Sequence, residues 1–438
     1  MKNLCPNTVI PTKAGIQVET TGFQIKSGMT RLKSDYRYTT IGPYFCTKER
    51  FNPMQKTFSF QGAGEIHFGR GAIDQLPDLS ARHGSGPILL VMDPFLSRGF
   101  LKIQLFSDLK KKGLTPILFD QIEPEPSPAS AEAGARLARR KTCSLVIGIG
   151  GGSTLDTAKA VAMLALNSGK VSDYVGLDLV PHPGLPTILV PTSAGTGSEV
   201  TFTAVFTNRA AKTKGGINSR FLYPTVALLD PELTLSLPPQ ITAQTGMDAL
   251  THAMEAYTSN KANPLSDMAA EKAITLIGRY LKKAVKNGKD LKAREGMLLG
   301  SLLAGMALAN AGVGAVHAMA YPLGALFNIT HGLANAVLLP YVLEFNRVAC
   351  PERFARMEFL LSGSVAAISA EAGAKKCIQK ITNLSRAIGI PKNLKELRIP
   401  EKAIRTMAEA AIKVARPIEN NPRPITVEDI VRLYHKMY

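Results

Sequence analysis

The strongest constraint in this sequence is a series of apolar segments, bounded by Gly or Pro, that recurs through the first half and then stops. PILLVMD (87–93), PILFDQI (116–122), SLVIGIG (144–150), PTILVPT (186–192) and PTVALLD (224–230) are near-continuous rather than alternating. That is the pattern of strands buried on both faces. Helical stretches such as PASAEAGARLARR and STLDTAKAVAMLAL lie between them, so the strands are expected to run parallel and to be joined by helical crossovers. From about residue 236 strand signals almost vanish. Leu, Ala, Met and Lys then recur at helical spacing to the C-terminus, broken at Pro264, Pro322, Pro340, Pro391, Pro400 and Pro417. The expected fold is an α/β domain with a parallel sheet over residues 54–235 and an all-α domain over 236–438. Residues 1–53 show no sustained period and read as a disordered or flexible extension, with Met54 just ahead of the first well-patterned strand, KTFSFQGAGEIHFG.

Composition narrows the class. Apolar residues make up 45% and charged residues 20%, which is ordinary globular usage and excludes wholesale disorder. Cys5, Cys46, Cys143, Cys350 and Cys377 show no CxxC pairing, which argues against a disulfide scaffold and against a cysteine zinc site. No apolar run of signal-peptide length follows Met1, so a reducing cytoplasm is the expected location. The uncharged stretch from Gly296 to Val316 is long enough to span a bilayer. Its Gly and Ala content, with Ser301 and Asn310, instead suits a buried helix that leads into His317. The net charge of +18 is dispersed in pairs and triplets such as Lys110 to Lys112 and Arg139 to Lys141. With no zinc finger, RNA-binding aromatic motif or long basic run, it argues against nucleic-acid binding as the main function.

The segment Ser144 to Lys159 reads strand, glycine turn, helix. Gly150, Gly151 and Gly152 allow backbone N–H groups close to a diphosphate, and the following helix N-terminus adds its positive dipole end. Ser153 with Asp156 has capping-box spacing. The turn is GxGGGS, neither the dinucleotide GxGxxG nor a Walker loop. Asp93, at the end of an earlier strand, is placed to bond ribose hydroxyls and to repel a 2′-phosphate, which favours NAD over NADP. Its alternative is a plain N-cap. A second loop, Pro191 to Val200 (PTSAGTGSEV), follows another strand with four hydroxyls and two glycines. Glycine loops after two parallel strands point to a nucleotide site.

In the helical half, GMDALTHAMEAY (246–257) sets Asp248 and His252 at i and i+4 on one helix face. His317 and His331 lie 14 residues apart in HAMAYPLGALFNITH, with Pro322 and Gly324 between them. The chain has only seven histidines, and four of them fall in this half, three of those (His252, His317 and His331) in its otherwise apolar stretches. One carboxylate with three imidazoles suits Fe²⁺, Zn²⁺ or another divalent transition metal. The alternative for each residue singly is a buried neutral histidine bonded to backbone.

At these residues the sequence resembles the iron-containing (group III) alcohol dehydrogenases. The matching motifs are FGRGA (68–72), GGGSxxDxxK (150–159), PTxAGTGSEVT (191–201), GMDALTHAMEAY (246–257) and HAMAYPLGALFNITHGLANAVLLP (317–340), and the similarity runs over about residues 57–438. It implies a dehydroquinate synthase-like architecture: an α/β dinucleotide-binding domain with a parallel sheet and an all-α metal-binding domain. It also implies metal ligands at Asp248, His252, His317 and His331. Cofactor contacts are implied at Asp93, Gly151, Gly152, Ser153, Asp156, Thr192, Ser193, Thr196, Lys214 and Leu233. The implied reaction is NAD-linked hydride transfer to and from a small alcohol or aldehyde, catalysed by a homodimer or higher homo-oligomer, with no membrane partner. Two positions depart from the family. A further histidine commonly follows the third ligand by four residues, beside the nicotinamide, and here that position is Tyr321, expected at the reactive centre with His317 and His331. Glu125, in EPEPS, stands where an asparagine near the adenosine is common. Two rival readings are a zinc-dependent polyol enzyme similar to glycerol dehydrogenase and, from another class, a basic surface-binding or nucleic-acid-binding protein on the same fold.

Overall fold

The apolar runs form strands where their pattern places them. In chain order all the described strands are β1 (Glu65–Phe68), β2 (Pro87–Met92), β3 (Thr115–Phe119), β4 (Leu145–Gly150), β5 (Gly176–Leu177), β6 (Thr187–Pro191), β7 (Thr203–Asn208), β8 (Thr213–Asn218) and β9 (Val226–Leu229), the apolar runs supplying β2, β3, β4, β6 and β9. The computed structural model describes residues 57–209, 213–363 and 369–438, so the expectation for residues 1–53 lies outside the described residues. Six strands form one parallel sheet in the order β1-β9-β6-β4-β2-β3. Ile88, Leu90 and Met92 pack into one core while Leu89 and Val91 pack into another. Both faces are covered, which is why the runs have no alternating polar positions.

Helices α1 (Leu76–His83), α2 (Pro94–Ser97), α3 (Phe100–Lys111), α4 (Pro128–Arg140) and α5 (Gly152–Leu166) accompany the sheet. The chain steps outward from β2 to β3, then returns across β2 to β4. That reversal opens a crevice at the carboxyl ends of β2 and β4, the usual ligand position in a doubly wound sheet. Strands β5, β7 and β8 form a separate three-stranded sheet, antiparallel between β7 and β8. The sequence pattern did not anticipate this sheet.

After β9 the described chain is helical. The elements are α6 (Pro239–Thr258), α7 (Pro264–Lys286), α8 (Leu291–Ala311), α9 (Ala315–Phe327), α10 (His331–Asn346), α11 (Pro351–Ser362), α12 (Ala370–Ala387), α13 (Ile404–Ala411), α14 (Ala415–Asn420) and α15 (Val427–Lys436). Their core, with Met247, Leu250, Ile277 and Leu298, runs on to Ala227 and Leu229 of β9, so the two halves share packed surface. At the seam Gly197 (φ 61°) meets α8 backbone to backbone. A Cβ on Gly197 would stand 2.5 Å from Cα of Gly305, so neither position accepts a side chain. The uncharged stretch 296–316 is not one straight helix. It is split by Gly312 (φ 75°), and α8 and α9 are bent 104° apart. Among the described residues no single helix is long and apolar enough to cross a membrane.

Candidate active site and metal centre

The break after α8 decides where the third histidine points, because it starts α9 at Ala315 and puts His317 in that helix's first turn. Asp248 and His252 come from consecutive turns of α6, and His331 is the first residue of α10. One ligand atom from each of the four lies within 4.8 Å of the others. The rings of His252 and His317 are stacked with centroids 4.8 Å apart, and those of His317 and His331 are tilted at 5.2 Å. Asp248, His252 and His317 are 2%, 5% and 3% exposed, which excludes solvation as a way to satisfy their polar atoms.

Electrostatics suit a cation. Burial alone would raise the Asp248 carboxyl, but His252, His331, His317 and the Asn335 amide together hold it below the usual carboxylate range. Burial lowers His252 and, with help from Lys214, lowers His331 well below the ordinary imidazole value. Both are therefore neutral, ligand-ready imidazoles near neutrality. The Asn335 amide nitrogen stands 2.6 Å from Asp248 Oδ1, 3.1 Å from His317 Nε2 and 3.2 Å from His331 Nε2. It faces three acceptors with only two hydrogens. A donor set with more acceptors than protons fits a divalent metal held by one carboxylate and three imidazoles.

Three residues that the sequence reading did not assign complete the site. Glu255 Oε2 is 2.6 Å from His317 Nδ1, and its Oε1 accepts from the Val316 amide at 2.7 Å. This fixes the His317 tautomer and turns Nε2 toward the cluster. Asn335 is the second, four residues after His331. The available signal was helical spacing, Glu255 falling three residues after His252 on α6 and Asn335 one turn into α10. Glu125, which the resemblance set near the adenosine with no role of its own, is the third and stands beside His331. With φ 54°, it accepts from the His331 amide at 3.1 Å and pairs with Lys214, tying the sheet half to the first residue of α10.

The nucleotide residues gather as a groove of about 460 Å³. Asp93, Gly151, Gly152, Ser153, Thr192, Ser193 and Thr196 all line it, as do Asp248 and His331. A Cβ on Gly152 would run into Thr196, so the close approach of the loops after β4 and β6 at this point requires a glycine. Asp93 caps α2 by accepting from Phe95 N at 2.9 Å while still facing the groove. Asp156 is used otherwise. α5 begins at Gly152 with Gly151 as its N-cap and no capping box. The Asp156 carboxylate accepts from the Ser198 hydroxyl (2.5 Å) and the Val205 amide (2.9 Å), bracing the second loop. Lys214, paired with Glu125, lines the cleft beside Tyr321 rather than the groove. Leu233 packs against the core beneath the sheet and is not part of the groove lining.

A smaller cleft of about 150 Å³ joins the groove at Glu125, Gly152, Ser153, Thr196 and His331. It is lined by His252, His317, Tyr321, Leu308 and Val313. Tyr321 lies one turn after His317 on α9, with its ring centroid 6.1 Å from that of His331. Burial pushes its hydroxyl up to about 12. It is therefore a protonated donor at neutral pH.

A carboxylate and three imidazoles at the end of a nucleotide groove match known proteins. Residues 63–231 match the iron-containing alcohol dehydrogenase model, and residues 242–438 match the C-terminal domain of the Fe-containing alcohol dehydrogenase family. This chain belongs to the iron-containing alcohol dehydrogenase family. It is an oxidoreductase of the alcohol dehydrogenase type. It is 43% identical over 375 residues to long-chain-alcohol dehydrogenase 1 of Geobacillus thermodenitrificans, covering 85% of this chain and 94% of that one. It is 37% identical over 365 residues to the NAD-dependent methanol dehydrogenase of Bacillus methanolicus, covering 83% and 96%. The crystal structure of a 1,3-propanediol oxidoreductase superposes with a TM-score of 0.84 at 39% identity, over 87% of this chain and all of that one. The motif-based family reading and the α/β plus all-α architecture both hold.

Proposed function

We propose that this chain is an NAD-preferring dehydrogenase of primary alcohols and a reductase of the matching aldehydes, using Fe²⁺ held by Asp248, His252, His317 and His331. The observation that carries the reading is His331, which lines both the nucleotide groove and the cleft where the other histidines converge. The metal, when bound, supplies Lewis acidity toward a substrate oxygen, and the nicotinamide supplies the hydride acceptor. The protein's own part is positional. Glu255 holds His317, Glu125 holds the His331 backbone, and Gly151 and Gly152 let the α5 N-terminus approach the diphosphate. Leu308 and Val313 make the cleft wall apolar and exclude water from the reacting atoms. We place the enzyme in a reducing cytoplasm, where Cys143, Cys350 and Cys377 stay free thiols. It is proposed to work as a homodimer or higher homo-oligomer, to be measured by sedimentation.

The test is reduction of NAD and of NADP by a panel of primary alcohols and diols after loading with Fe²⁺ or Zn²⁺. NAD is expected to win, and Asp93→Gly to narrow or reverse that preference through the KM for NAD. Equal use of both dinucleotides by the wild type would remove Asp93 from the ribose. Tyr321→Phe is expected to lower kcat by about tenfold, equal to roughly 1.4 kcal/mol of barrier, at unchanged metal content. Unchanged turnover would leave Tyr321 as packing.

A further inference from the structure

Beyond Tyr321 the reactive cleft opens into a larger cavity of about 740 Å³, within the range of small-molecule sites. The two spaces share Thr203, Lys214, Leu308 and Tyr321 as walls, so a ligand whose oxygen sits at the histidines extends naturally into the larger one. Its walls are mainly apolar, with Phe202, Leu308, Ala325, Leu326 and Val414 among them. This suits a chain of methylenes, because moving each CH₂ from water onto an apolar wall is favourable.

The far wall carries a charge that no carboxylate among the described residues pairs with. Arg416, on α14, lies half-buried with its guanidinium 5.7 Å from the Phe202 ring centroid. Among the described residues no carboxylate pairs with it and no carbonyl accepts from it. The other charges around the cavity are largely spoken for. Lys214 is paired with Glu125 and Glu409 with Arg405, while Lys413 lies exposed at the rim. Arg416 and Tyr321 line the same cavity, so the guanidinium borders the space that opens from the reactive centre. A guanidinium that lies over an aromatic ring and has free donors along an apolar channel is built to receive a planar oxyanion in two parallel hydrogen bonds.

We propose that Arg416 is a specificity residue that anchors a terminal carboxylate, and that the substrates are ω-hydroxy carboxylates and the corresponding aldehyde acids. This rests on the dehydrogenase reading above and extends it to a substrate class. The reaction stays balanced as hydroxy acid plus NAD⁺ giving aldehyde acid, NADH and H⁺, with the carboxylate untouched. Phe202 holds the guanidinium in place, and Leu308 and Leu326 flank the methylene chain.

The test compares kcat/KM of the metal-loaded full chain for 4-, 6- and 8-carbon ω-hydroxy acids with those for the 1-alkanols of equal length. It adds calorimetric titration with butanoate, hexanoate and octanoate, which needs no turnover. At the best-fitting length the hydroxy acid is expected to exceed the alkanol by tenfold or more, chiefly through KM. Arg416→Gln should cut that ratio at least tenfold and abolish the alkanoate titration, and Arg416→Lys should restore part of both. Alkanol oxidation with a ratio that Arg416→Gln does not change overturns the carboxylate anchor and leaves the dehydrogenase reading standing. Arg416-dependent alkanoate binding by a protein that oxidises no alcohol keeps the anchor and overturns the dehydrogenase reading. Absence of both binding and turnover overturns both.

Discussion

His252→Ala is expected to lose its metal and its turnover together while still binding NAD. His252 is one of the four ligands proposed among the described residues, and it is buried with its ring stacked on that of His317, so bulk water has little access to take its place. Even outer partners of metal ligands cost 10–100-fold when removed. Removal of a ligand itself should therefore exceed about a hundredfold in kcat. The nucleotide groove is lined by Asp93, the glycine loop after β4 and the hydroxyl loop after β6, and of these the last meets His252 only through its backbone at Gly195, which the substitution leaves in place. Elemental analysis and a dinucleotide titration on the same preparation make the measurement. Metal-free wild type is the proper reference for melting temperature, since the variant should resemble it. Full metal occupancy in the variant would remove His252 from the ligand set.

Glu255→Ala is expected to weaken metal binding by about 10–100-fold without touching any ligand. The deleted carboxylate accepts from two buried donors, His317 Nδ1 and the Val316 amide. A buried donor left without an acceptor costs about 1–3 kcal/mol, so the first turn of α9 should loosen and the melting temperature fall. The more specific consequence is at His317. Without an acceptor at Nδ1, the ring no longer has a fixed tautomer, and Nε2 is not held as the free nitrogen facing Asp248. Glu255→Gln keeps one accepting oxygen and should lie between wild type and Ala in metal affinity. A competition titration with a chelator measures this, and equal affinity in all three proteins would make Glu255 a packing residue.

These two predictions differ in how far the sequence alone could reach them. Asp248 and His252 were legible because four-residue spacing on a helix puts two side chains on one face whatever surrounds that helix. The parallel strands were legible for a similarly local reason: burial on both faces requires every residue of β2 or β4 to be apolar. The pairing of Glu255 with His317 was not legible, since the two are 62 residues apart and nothing in either segment fixes the angle between α6 and α9. The 104° bend between α8 and α9 turns α9 out of the line of α8, and the packing of both in one core with α6 brings His317 to Glu255. Asp156 shows the reverse case. Its spacing from Ser153 suggested a helix cap, yet Ser198 and Val205 on neighbouring segments take its carboxylate. The sheet of β5, β7 and β8 escaped notice because TKGGIN (Thr213–Asn218) has little apolar alternation and is held by pairing with β7.

By itself the sequence determined the elements, their class and the residue types that bring chemistry, because periodicity, glycine turns and histidine spacing act over a few residues. Only the tertiary structure decided which groups meet. His331 reaches both the groove and the histidine cluster, Glu125 ties the sheet half to α10, and Arg416 faces the cavity beyond Tyr321 with no carboxylate partner among the described residues. Such contacts depend on the packing angles of whole helices, which are set by hundreds of side chains and by close approaches such as Gly197 against Gly305, and a local pattern carries no record of them.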